Sequence, residues 1–135
     1  MDAVPKKILI AEDDSFFSMI LKNRLQKEGF AVRQAFDGEE ALSMAREEAP
    51  DLILLDLIIP KLSGFELLET MYSDPRLNRI PVVVASNLGQ ESDIEKVRRF
   101  GVMDYYVKVR VSVDDIVKML AKILKREPEA KPTGP

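Results

Sequence analysis

A chain of 135 residues, 46% of them hydrophobic and 32% charged, suits one soluble domain with a core of its own. It has no cysteine and no histidine, which excludes disulfides, thiolate or imidazole metal sites, a histidine general base and a phosphohistidine on this chain. A net charge of −3 points to neither nucleic acid nor an anionic membrane as partner; with no apolar run near the ~20 residues that span a bilayer and no leader pattern in Met1–Pro5, a cytoplasmic location is expected.

Residues 1–5 read as a flexible N-terminus. Ile8–Ala11 is the first of five short apolar runs, and it reads as a strand. It ends in Glu12-Asp13-Asp14. Asp14 or Ser15 can cap the helix expected over Phe16–Lys27, where Phe17, Ile20, Leu21 and Leu25 recur at helical spacing. Gly29 falls where a helix C-cap belongs. Ala31–Phe36 reads as the second strand, and Glu39–Glu48 as the second helix, on Ala41, Leu42 and Ala45. Leu52–Leu55 is the third strand, closed directly by Asp56. Phe65–Tyr72 follows as a helix on Phe65, Leu68 and Met71 or Tyr72. Val82–Ala85, ending in Ser86, precedes a helix expected over Ser92–Phe100, with Gly101 at its close. Tyr105–Val107, ending in Lys108, precedes the last helix, Val113–Leu124, which Ser112 and Asp115 introduce as a capping box. Residues 127–135 are polar and proline-rich and read as a disordered tail or the start of a linker, which leaves residues 6–126 as the domain.

Five βα units in series imply an α/β fold, a parallel sheet with helices on both faces. Such doubly wound sheets bind ligands at the carboxyl ends of their strands. Those ends carry Glu12, Asp13 and Asp14, then Asp56, Ser86 and Lys108. Taken singly, each has an ordinary explanation: a solvated loop, a helix cap, a turn carboxylate, a surface lysine. Taken together, corresponding strand ends deliver several carboxylates, a hydroxyl and an ammonium to one rim. The acids would repel one another unless Lys108 or a cation offset them. An all-oxygen carboxylate site suits Mg²⁺, which favours substrate phosphate as a co-ligand.

The runs ILIAEDD, PDLILLDLIIPKLSGFELL, IPVVVAS and GVMDYYVK together resemble the receiver domains of two-component response regulators, over about Lys6 to Leu124. The resemblance implies a flavodoxin-like sheet of order 2-1-3-4-5. It implies a signalling phosphoacceptor rather than an enzyme, phosphorylated on Asp56 by a histidine kinase or phosphotransfer protein. Asp13 and Asp56 would ligate Mg²⁺ with the backbone carbonyl of Ile58, and Glu12 would act mostly through water. Ser86 and Lys108 would bind the phosphoryl group, and Ser86 and Tyr105 would form the switch. Pro60 and Gly64 match the loop after the acceptor. The readout would be the face built from the fourth helix, fifth strand and fifth helix, with Lys96, Arg99, Tyr105 and the exposed side of Asp114–Lys122 as candidate contacts. A downstream protein target or a separate output domain would read it, with no nucleic acid contact by this domain.

Three departures from the family's pattern stand out. Val109 follows Lys108 where the family usually has a cis proline. A cis bond there would cost about 3 kcal/mol, so a trans bond and a reshaped loop over Val109–Val111 are expected. Asn87 follows Ser86 where a small residue is usual; it could crowd the phosphoryl entrance or donate a hydrogen bond to it. Ile58 and Leu88, at the positions that tune hydrolysis, are both apolar. Neither can orient an attacking water, so slow self-dephosphorylation is expected.

Two other functional classes compete. A receiver-like docking module independent of phosphate would fit the departures at Asn87 and Val109. A haloacid-dehalogenase-type phosphatase also places an aspartate nucleophile at a strand end, but it usually carries a second aspartate where this chain has Ile58. A nucleotide-binding domain is disfavoured, because no glycine-rich phosphate loop follows the first strand.

Overall fold

The computed structural model describes residues 4–125. The tail at 127–135 and the first three residues of the N-terminal segment lie outside the described residues. Five strands, β1 (Lys7–Ala11), β2 (Ala31–Ala35), β3 (Leu52–Leu55), β4 (Val82–Ser86) and β5 (Asp104–Val107), form one parallel sheet of order β2-β1-β3-β4-β5. Five helices alternate with them: α1 (Ser15–Lys27), α2 (Gly38–Glu48), α3 (Gly64–Ser73), α4 (Glu91–Arg98) and α5 (Val113–Leu124). The fold expected from the sequence is the fold observed.

The sheet divides the core in two, and strand side chains alternate between the halves. Ile8, Ile10, Leu52, Leu54, Val83 and Ala85 pack against Leu21 and Leu25 of α1 and Ile116, Val117, Leu120 and Leu124 of α5. Leu9, Ala11, Ile53, Leu55, Val82 and Val84 pack against Ala41 and Ala45 of α2, Leu67, Leu68 and Met71 of α3 and Val97 of α4. Burial on both sides is why β3 and β4 read as unbroken apolar runs. The edge strands β2 and β5 are only partly buried.

Local signals set the element ends. Asp14, not Ser15, is the N-cap of α1; its carboxylate accepts from the N–H groups of Phe16 and Phe17, both at 3.1 Å. Ser112 and Asp115 form the expected capping box on α5. Gly29 and Gly101 adopt φ of +100° and +74° just beyond α1 and α4. Two elements end earlier than expected. β2 stops at Ala35, leaving Phe36 exposed. α4 stops at Arg98, and Phe100 sits in the turn that follows, where its N–H donates to the Val97 carbonyl. Phe100 had looked helical because its ring still packs inward, edge-on to Tyr72 with centroids 5.5 Å apart. No helix among the described residues is long and apolar enough to cross a membrane.

Candidate functional site

Strand pairing brings the acids together. Ala11 of β1 pairs with Leu55 of β3, so Glu12 and Asp56 leave the sheet side by side. The Asp56 N–H donates to the Ala11 carbonyl at 3.0 Å and the Glu12 N–H to the Ala35 carbonyl at 3.0 Å, which extends the ladder through both residues. One carboxylate oxygen from each of Glu12, Asp13 and Asp56 lies within 4.8 Å of the others. Glu12 and Asp56 are buried, whereas Asp13 faces solvent. Asp14 joins the helix instead, as its cap.

Lys108 arrives from the sheet edge. Val107 pairs with Ser86, so the lysine begins beyond the end of β5 and its flexible stem crosses the end of β4. Its Nζ donates to Glu12 Oε1 at 2.7 Å and to Asp56 Oδ2 at 2.8 Å. The Phe17 ring lies beneath it, 4.9 Å from centroid to nitrogen. The remaining oxygens are also engaged: Ile58 N–H donates to Asp56 Oδ1 and Asp14 N–H to Glu12 Oε2, each at 3.0 Å. With all groups ionised, three carboxylates and one ammonium leave a local charge of −2.

Burial pushes the Glu12 carboxyl above the usual carboxylate range; the Lys108 hydrogen bond opposes this and the Asp56 charge adds to it. Burial alone would lower the Lys108 ammonium, but its hydrogen bonds to Asp56 and Glu12 outweigh that and hold it above an ordinary lysine. Lys108 is therefore charged at neutral pH.

Ser86 is fully buried, and its Oγ accepts from the Leu88 N–H at 3.3 Å. The Tyr105 hydroxyl donates to the Leu88 carbonyl at 2.5 Å. Burial raises that phenol, with the charges of Asp93 and Asp56 acting in the same sense. Ile58 is 58% exposed, whereas Leu88 is partly buried against the core.

The loop after Asp56 is held by close backbone contacts. The Gly64 N–H donates to the Leu57 carbonyl, the Gly38 N–H to the Pro60 carbonyl at 3.0 Å, and Lys61 adopts φ of +71°. A Cβ on Gly64 would lie 2.5 Å from Leu57 Cα, and one on Gly38 1.8 Å from the Leu62 carbonyl oxygen. Ser63 and Glu66 close the loop with a capping box at the start of α3. The S-x-x-E spacing of that box was a readable signal that the sequence reading missed. Gly38 was missed too; the Asp37-Gly38 turn hinted at a special backbone but not at what approaches it.

The departures at Asn87 and Val109 resolve into one arrangement. The Lys108–Val109 bond is trans, and Lys108–Arg110 form a single 3₁₀ turn. Lys108 nonetheless reaches both acids. Asn87 Oδ1 accepts from the Val109 N–H at 3.1 Å. Its carbonyl is thus spent on the neighbouring loop, a use that sequence reasoning had not considered.

The family model of the response regulator receiver domain matches residues 8–121. This chain belongs to the response regulator receiver family. Among its relatives is the polar-differentiation response regulator DivK of Brucella anthropi, 30% identical over 90% of this chain and 98% of that protein. Among solved structures, the phosphorylated cyanobacterial phytochrome response regulator RcpA is 35% identical, with a TM-score of 0.77 over 89% of this chain and 91% of that one. The Mn²⁺-bound form of response regulator Rcp1 is 32% identical, with a TM-score of 0.75 over 88% and 91%. Receivers are signalling proteins of two-component systems that interact with kinases and output targets. The acidic pocket of this receiver fits the family's aspartyl phosphorylation and divalent cation binding. Its donors are carboxylates, the ligands hard dications prefer, and its local charge of −2 is what a dication neutralises.

Proposed function

We propose that this receiver is a phosphorylation switch whose acceptor is Asp56, charged by a histidine kinase or phosphotransfer protein with Mg²⁺ as cofactor. The observation that carries this reading is the convergence of Glu12, Asp13 and Asp56 within 4.8 Å, with Lys108 Nζ 2.8 Å from Asp56. Asp13 and Asp56, with the Ile58 carbonyl, would hold Mg²⁺, and Glu12 would assist through water. When bound, the ion neutralises charge on the transferring phosphoryl oxygens.

Asp56 then acts as the nucleophile. A carboxylate oxygen attacks phosphorus, the P–N bond of the donor's phosphohistidine breaks, and its electron pair returns to the imidazole, which takes up a proton. Lys108 turns from pairing two acids to pairing one phosphoryl oxygen, and Ser86 donates its hydroxyl to another. Ser86 and Tyr105 both grip Leu88, one at its N–H and one at its carbonyl. Drawing Ser86 toward the phosphoryl group releases the first bond, and the Tyr105 ring follows into the vacated space. This shift is read on the face carrying Lys96, Arg99, Tyr105 and Asp114–Lys122, by a protein target or a separate output domain. Against a phosphate-independent docking module stands the contact of Lys108 with both acids.

Intact-mass analysis after incubation with Mg²⁺ and acetyl phosphate or phosphoramidate tests the reading. One added phosphoryl group is expected on the parent and none on Asp56→Asn. A parent that neither labels nor binds beryllofluoride would favour the docking module. The same assay times the phosphorylated state. Neither Ile58 nor Leu88 offers a polar group to orient water, so replacing both with polar residues is expected to speed phosphate loss by about tenfold. Unchanged lifetimes would remove that idea.

A further inference from the structure

The turn that carries Lys108 has little of its own to hold it. None of Lys108–Arg110 is buried, and Val109 is 79% exposed, so no apolar side chain of the turn itself anchors it; the nearest is Val111 just beyond, packed against the core. Upstream it is fixed by the pairing of Val107 with Ser86. Just downstream of Lys108, the Val109 N–H meets Asn87 Oδ1 at 3.1 Å. The two loops also touch near that bond: a Cβ on Gly89 would lie 3.2 Å from Arg110 Nη2 and 3.3 Å from the Val107 methyls.

That hydrogen bond requires both departures at once. A proline at 109 has no N–H to offer, and an alanine at 87 has no acceptor to receive it. We infer that Asn87 is a positioning residue for Lys108, tying the Val109 N–H so that the ammonium is held over Glu12 and Asp56. The inference rests on the reading of Asp56 as phosphoacceptor, since only there does the aim of Lys108 matter. Without the tie, the turn must be ordered each time the ammonium engages, and the loss falls on transfer rather than on metal binding.

The test is a double-substitution cycle on the full chain, reading the rate of labelling by phosphoramidate and, by calorimetry, the affinity for Mg²⁺ alone. Asn87→Ala is expected to slow labelling about five- to tenfold while leaving Mg²⁺ affinity no weaker. In a Val109→Pro background, where the N–H is gone, adding Asn87→Ala is expected to change the rate by less than about twofold. Amide exchange at Val109 is expected to lose protection in Asn87→Ala. A parent-like labelling rate in Asn87→Ala, or equal slowing in both backgrounds, would overturn the inference while the phosphoacceptor reading stands. A parent that cannot be labelled would overturn both.

Discussion

Lys108→Met is expected to lower stability by about 3 kcal/mol in the absence of divalent cation, read as a lower urea midpoint with little change in slope. The lysine is the ammonium that meets both Glu12 and Asp56, whose side chains are 4% and 7% exposed. Methionine replaces most of the stem beside Phe17 without the charge, and leaves two buried carboxylates facing each other. The signs of the two pKa shifts agree with this. The Lys108 ammonium is raised by folding, so its contribution is complete below the ordinary lysine range and is lost only as pH rises through its folded value. Glu12 is raised by burial, so its ionised form opposes folding at neutral pH, and that cost fades on acidification through its folded value. Added Mg²⁺ should narrow the gap between variant and parent, because the ion no longer competes with an ammonium for the acids. Labelling of Asp56 should fall at the same time. A variant with the parent's midpoint in metal-free buffer would show that Lys108 is not what neutralises the acids.

Gly64→Ala is expected to cost about 3 kcal/mol or more and to slow labelling of Asp56 by about a hundredfold. The added Cβ would meet Leu57 Cα at 2.5 Å and the Asp56 carbonyl oxygen at 2.7 Å. Both are main-chain atoms that cannot swing aside, and one belongs to Asp56, the proposed acceptor. Relief requires moving either the start of α3 or the peptide that aims Asp56. Gly38→Ala tests the other side of the loop, where the new Cβ meets the Leu62 carbonyl. It should be comparably destabilising, with less effect on labelling in the fraction that folds. By contrast, a Cβ on Gly29 or Gly101 finds open space, and replacement there costs only the strain of a positive φ, about 1 kcal/mol. A Gly64→Ala protein that labels at the parental rate would remove the claim that this contact fixes Asp56.

Much of this was readable from the residues in order. Apolar runs such as Leu52–Leu55 are buried on both faces, and a parallel sheet sends the residue after each run to one rim. Asp56, Ser86 and Lys108 could therefore be placed from strand ends alone. What could not be read from the sequence depends on through-space contacts. Phe100 kept helical spacing while serving a turn, because Tyr72 receives its ring either way. Asn87 was weighed only at the phosphoryl entrance, whereas its Oδ1 accepts from a partner 22 positions away, on a turn whose conformation the sequence does not announce. Gly38 and Gly64 look alike as letters, and only the approach of Leu62 and Leu57 shows why neither can carry a side chain.

Lys108 reaches the acids from β5, an edge strand paired on one side only. Edge strands fray more readily than interior ones. Each opening of β5 withdraws the ammonium and leaves the carboxylates of β1 and β3 in mutual repulsion. In the resting protein that repulsion acts as a restoring force on the edge. A cation among the acids takes over the neutralising role and weakens the force, so the occupied protein should grow more stable as a whole while its edge strand opens more freely. Metal load and edge-strand fluctuation thus become linked variables, and whatever grips the edge from outside shifts the affinity at the centre by the same factor that the centre shifts the grip.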